Sequence, residues 1–103
     1  MIIRNLKKSA EALRQALEQE DTAAIQKAHT EFSRVINAAW QQYEQGQLVV
    51  EMRGLPRLMY YWVVDELPGK IQDPAQWPSI RRELGHFLRI MELSIKPREV
   101  AGE

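Results

Sequence analysis

The spacing of apolar residues near the N-terminus limits this chain more than any other feature. Ile3, Leu6, Ala10, Leu13 and Leu17 step by 3, 4, 3 and 4 residues, which puts them in one stripe on a helix. Ala, Glu, Gln, Lys and Arg stand between them, and all are good helix formers. The pattern predicts a helix over about 2–20. The same steps return at Ile25, Ala28, Phe32, Val35 and Ala39, with Ile36, Trp40 and Tyr43 widening the stripe. Thr22 is placed to cap this second helix by accepting a backbone N–H bond. Gly46 is placed to stop it in a left-handed conformation, so the helix runs over roughly 23–45. A joint as short as Glu20–Thr22 makes the pair an antiparallel hairpin.

The stretch RGLPRLMYYWVVDELPGK (Arg53–Lys70) is harder to place. It holds nine apolar residues between Leu55 and Leu67. Pro56 suits the first turn of a helix, where its missing N–H costs nothing, and Pro68-Gly69 reads as the end. That gives a helix over roughly 55–67, with a short helix over 47–53 as a candidate fifth. The rival for 48–64 is a β-hairpin, because LVVEM and LMYYWVV are both rich in strand formers. A lone two-stranded hairpin is only marginally stable, and the flanking helices bring it no further strands.

If the stretch is helical, it has two apolar faces. Leu55, Met59, Trp62 and Val63 form one; Tyr60, Tyr61 and Val64 lie on the other with Arg57. A surface helix has a polar back, so the side of Tyr60, Tyr61 and Val64 is expected to meet a protein partner, and Tyr and Trp are enriched in such contacts.

Asp73-Pro74-Ala75-Gln76 has the form of a helix start: Asp as cap, Pro at the first position, Gln reaching back. Trp77-Pro78 then requires a short first turn or a restart at Ser79. Ile80, Leu84, Phe87, Leu88, Met91 and Ile95 mark the last helix, beginning at 74 or 79 and ending near 96, before Pro97. Gly85 within it is a place for another helix to approach. The fold class is all-α, a single-domain bundle of four to five helices over 1–97 with a disordered tail at 98–103.

Composition removes several function classes. The 103 residues are 45% hydrophobic and 27% charged, ordinary values for one globular domain, and contain no cysteine, so no disulfide, thiolate zinc site or cysteine nucleophile is available. No apolar run is long enough to span a membrane, and the N-terminal segment lacks the continuous apolar core of a signal peptide. A cytoplasmic setting is expected. Fourteen basic side chains balance fourteen acidic ones, whereas a free-standing nucleic-acid binder usually carries a basic excess.

Glu83 and His86 form the one Glu-x-x-His pair. Di-iron bundles use two such pairs, and Gln26 stands where His29 would need its acid. No phosphate-binding loop is present. Neither catalysis nor a metal or cofactor is expected. The arginines are more suggestive. Arg53 and Arg57 flank the Gly-Leu-Pro turn, and Arg81, Arg82 and Arg89 lie on the last helix. Guanidinium groups at a turn and along a helix can grip phosphates.

Two patches, TAAIQKAHTEFSRVINAAWQQYEQ (Thr22–Gln45) and FLRIMELSI (Phe87–Ile95), resemble the small all-helical subunit of Csm-type CRISPR effector complexes. Ile25-Gln26-Lys27 departs from that family's Gln-Ile-Arg order, and Val64-Asp65-Glu66 stands where it carries an arginine. The resemblance implies a non-catalytic subunit that touches other protein subunits, copies of itself included, through apolar faces. It also implies contact with an RNA or single-stranded DNA backbone, with Lys27, Arg34, Arg53, Arg57, Arg81, Arg82 and Arg89 as candidates.

Overall fold

From Leu6 onward, the apolar stripes of the N-terminal half pack into the core of the computed structural model, which describes residues 2–50 and 55–97. The elements run α1 (Ile2–Gln19), α2 (Thr22–Glu44), β1 (Leu48–Val50), α3, a 3₁₀ turn (Pro74–Gln76), α4 (Trp77–Ser94) and β2 (Ile95–Pro97). Helix α3 has three consecutive stretches: Leu55–Tyr61, a π turn at Trp62–Glu66, and Leu67–Ile71. The all-α bundle is therefore as expected, with one small addition: β1 and β2 pair antiparallel, Val49 opposite Lys96. The molecule is an elongated rod of 48 × 21 × 20 Å.

One core runs along it. Leu6, Leu13 and Leu17 of α1 meet Ile25, Phe32, Val35 and Ile36 of α2. Met59, Val63, Leu67 and Ile71 of α3 and Ile80, Leu84, Phe87 and Met91 of α4 close it. Phe32 and Phe87 pack edge to face, their centroids 5.3 Å apart, the arrangement their ring quadrupoles prefer. Trp77 closes the end of the core, donating its indole N–H to the Ile71 carbonyl at 2.8 Å. That bond joins the last turn of α3 to the first turn of α4.

Several boundaries differ from expectation. Asp21, not Thr22, caps α2, accepting from Ala23 N at 3.1 Å and Ala24 N at 3.3 Å; a carboxylate one residue earlier reaches both free donors, and Thr22 becomes the first helical residue. Glu20 turns the chain with φ +55°. Gly46 ends the C-terminal turn of α2 at φ +78°, as expected, with its N–H on the Tyr43 carbonyl. Asp73 accepts from Ala75 N, and the helix proper starts at Trp77 with Pro78 in its first turn, ending at Ser94 and not near 96.

The candidate helix over 47–53 is absent where it is described. Leu48–Val50 form a strand, because residues 95–97 supply the backbone partners that these strand formers prefer. The hairpin alternative for 48–64 fails in its second half, since Leu55 onward is helical. A side chain at Gly85 would meet nothing within 4 Å, so no helix approaches there. The remainder of 47–53 and the tail at 98–103 lie outside the described residues.

The largest difference is at Pro68, where α3 was expected to end. It continues to Ile71. The Leu67 N–H bonds to the Trp62 carbonyl, five residues back, as in a π turn. The next donor in that pattern belongs to Pro68, which has no N–H, and the Val63 carbonyl loses its helical partner. His29 of α2 replaces it: Nε2 lies 2.8 Å from that oxygen. A carbonyl can only accept, so Nε2 carries the proton and donates. Ser33 Oγ, 3.3 Å from the same nitrogen, flanks the bond.

Two outcomes are expected in denaturant unfolding. Phe32→Ala destabilises the protein by about 3–5 kcal/mol, the usual effect of emptying an aromatic site in a core. His29→Leu costs about 1–3 kcal/mol by stranding the Val63 carbonyl. That cost shrinks in a Pro68→Ala background, where an N–H is restored. Equal costs in the two backgrounds would show that His29 does not compensate for the proline.

Candidate functional site

The first stretch of α3 leans on α2 and leaves a gap toward α4. An aromatic row holds it there: Tyr60 packs on Trp40 at 5.8 Å, and Trp40 on Tyr43 at 5.8 Å. Trp62, at the start of the π turn, reaches across the gap. Its indole N–H donates to Glu83 Oε2 at 3.1 Å, and its ring lies 5.7 Å from that of Phe87. Lys70 Nζ sits 3.8 Å from Glu83 Oε1, so the one carboxylate in the gap is occupied on both oxygens.

The gap is an open groove of about 290 Å³ lined by Leu58, Met59 and Trp62 of α3 and by Glu83, His86, Phe87 and Ile90 of α4. Its walls are almost wholly apolar. Large apolar side chains of the same two helices are exposed: Leu58, which lines the groove, is 67% exposed, Leu93 66% and Tyr61 50%. Leaving so much aliphatic surface in water is unfavourable, by about 25 cal/mol for each Å² that could be covered. Along the outer side of α4, Arg82, His86, Arg89 and Leu93 are all exposed and recur at i, i+4, i+7 and i+11, a single stripe.

The expected interface residues divide. Tyr61 is exposed, whereas Tyr60 is half-buried on Trp40 and Val64 packs against the core. Trp62, placed by the wheel with the core-facing residues, does pack against the core and also forms the groove wall.

Of the seven candidate phosphate-binding residues, Lys27 and Arg34 lie on α2, and Arg57, Arg81, Arg82 and Arg89 lie on α3 and α4. Lys27 borders a shallow depression between α1 and α2 lined by Ala12, Ala16 and Ala28 among others. Arg34, also on α2, forks onto Glu31, Nε to Oε2 at 3.0 Å and Nη2 to Oε1 at 2.5 Å. The hydrogen bond from Arg34 holds the Glu31 carboxyl below its ordinary value, and the same bond raises the guanidinium. Arg34 is thus already engaged. Arg81 is half-buried, with its Nε buried and unpartnered. Arg57, Arg82 and Arg89 are exposed on α3 and α4, and the ion pairs among the described residues do not include them. Arg53 lies outside the described residues.

Glu83 and His86, the Glu-x-x-His pair, both line the groove. Among the described residues no three His, Asp or Glu side chains gather as metal ligands would, and Glu83 is taken by Trp62 and Lys70. No described helix is long and apolar enough to cross a membrane.

Sequence reasoning missed Leu58 and Ile90 as groove residues. Their signal was present in part. Leu58 and Trp62 are one turn apart, as are Glu83, Phe87 and Ile90 in succession, but only packing reveals that α3 tilts away and leaves those two rows facing each other across open space. No protein-family model, curated protein or solved structure matches the chain.

Proposed function

We propose that this protein is a non-catalytic assembly subunit that seats a neighbouring protein chain on its α3–α4 face, in a cytoplasmic complex. One observation carries the reading. The groove is apolar and open, exposed Leu58 forms part of its lining, and exposed Leu93 stands one turn after Ile90 on α4. Contiguous apolar surface of that kind usually marks a contact site. Of the polar groups that line the groove, Trp62 acts on Glu83 and Glu83 on Lys70, so these shape the wall, while His86 stands exposed at its edge.

A nucleoprotein form of the same role, the CRISPR-effector type implied by Thr22–Gln45 and Phe87–Ile95, has its own supporting observation. Arg82 and Arg89 share the exposed stripe of α4 and belong to no ion pair among the described residues. Such groups are suited to a phosphate backbone.

Affinity capture from source-cell extract, with and without nuclease, tests both. The expected result is a protein partner that survives nuclease and is lost from a Leu58→Arg/Leu93→Arg variant. Both side chains are exposed, so the variant should fold. A partner released by nuclease, together with single-stranded RNA binding that falls steeply with salt and disappears in Arg82→Ala/Arg89→Ala, would favour the nucleoprotein form. Retention of every partner by the Leu58/Leu93 variant would remove the docking role.

A further inference from the structure

On the docking role proposed above, we infer that the α3–α4 groove takes an amphipathic helix with two apolar anchors about one turn apart and an acidic flank. The floor sets the anchors. Trp62 N–H and both Glu83 oxygens already have partners, and Met59, Phe87 and Ile90 supply only apolar surface. A volume of about 290 Å³ compares with about 150 Å³ for a cavity that holds one benzene. The groove therefore has room for two large apolar side chains. Its α4 wall, Glu83 to Ile90, covers seven residue steps and about 10 Å at 1.5 Å per residue. Two side chains at i and i+4 on one helix, about 6 Å apart along its axis, fit that length.

The edge sets the flank. Glu83 is offset by Lys70, and Glu92, the acid next along α4, pairs with Lys7 of α1. Among the described residues, what remains on the outer edge of α4 is Arg82, His86 and Arg89, all exposed. The exposed acids of the α3 side, Asp65 and Glu66, follow Trp62 by three and four residues and belong to the opposite wall from the arginine stripe of α4. In a chain of formal net charge zero this local excess of arginine is complementary to carboxylates. Charge complementarity of this kind chooses partners and registers more than it adds raw affinity. The other occupants fit less well. A second copy presenting the same face would bring the same basic edge to the contact from both sides, a like-charge juxtaposition. A nucleic-acid backbone would use the arginines and leave the apolar floor uncovered.

The test uses the full chain and fluorescence anisotropy with three labelled helical peptides of about four turns each. One carries leucine at i and i+4 with glutamate on the flanks, the second has lysine for every glutamate, and the third has serine for both leucines. The acidic leucine peptide is expected to bind about tenfold or more tightly than either control, a difference of about 1.4 kcal/mol. Leu58→Glu and Arg82→Glu/Arg89→Glu, each checked for native circular dichroism, are expected to lose that preference. The arginine variant should instead favour the lysine peptide. Equal binding of the acidic and basic peptides, or none, overturns the inference. So does a self-associated chain that Leu58→Glu renders monomeric, or single-stranded RNA binding that depends on Arg82 and Arg89 without peptide binding. If no peptide binds while a captured partner still requires Leu58 and Leu93, the docking role stands and the acidic helix falls. If neither result depends on those leucines, both fall.

Discussion

The hydrogen bond from His29 to the Val63 carbonyl holds together what Pro68 would otherwise divide. Met59, Val63, Leu67 and Ile71 are all buried, and they lie four residues apart. In a regular helix each such step overshoots a full turn by about 40°, so three steps would carry Ile71 about 120° around from Met59. The π turn widens the helix between them and takes back part of that rotation. The same widening passes the missing donor of Pro68 on to the Val63 oxygen, where a side chain from α2 can reach it. One imidazole thus allows α3 to be a single rod that keeps one face on the core.

The groove follows from that rod. Its first stretch is held to α2 by Tyr60 on Trp40, and its last turn is held to α4 by Trp77 on the Ile71 carbonyl. Fixed to different neighbours at its two ends, α3 diverges from α4 at Leu58 and converges with it at Ile71. Trp62 stands where the gap opens, and its bond to Glu83 sets the width. The stripe of Arg82 and Arg89 lies outside this wedge, so apolar and basic surface stand side by side without competing for the same atoms.

The helices were legible in the sequence wherever burial alone decides them. The 3, 4, 3, 4 spacing of Ile25, Ala28, Phe32, Val35 and Ala39 records only which side of α2 faces inward, and Gly46 marks its end by needing φ > 0. Pro68 was misread because its local rule is sound: a proline removes a helix donor. The compensation comes from His29, thirty-four residues before the Val63 carbonyl it reaches, and no local pattern reports it. Tyr60 and Val64 were assigned outward on a wheel of fixed pitch, whereas α2 and the core cover them. The strand at Leu48–Val50 depended on a partner at the other end of the chain. The candidate site was least visible, because a groove is space between helices and the sequence records only the rows that border it.

The β1–β2 ribbon bears on the order in which the molecule forms. Helices α1 and α2 are neighbours in sequence and pack along their lengths, so their contacts close short loops and can form early. Pairing Leu48–Val50 with Ile95–Pro97 must wait until α3 and α4 have been laid down between them, since closing so long a loop is entropically costly until packing compensates. The ribbon is then the last part to form, and α3, which packs on its neighbours less extensively than α1 does on α2, is the more readily opened. Native-state hydrogen exchange should find the amides of α3 less protected than those of α1 and α2. An occupant of the groove would raise the stability of the more weakly held half and leave the helical hairpin nearly as it was.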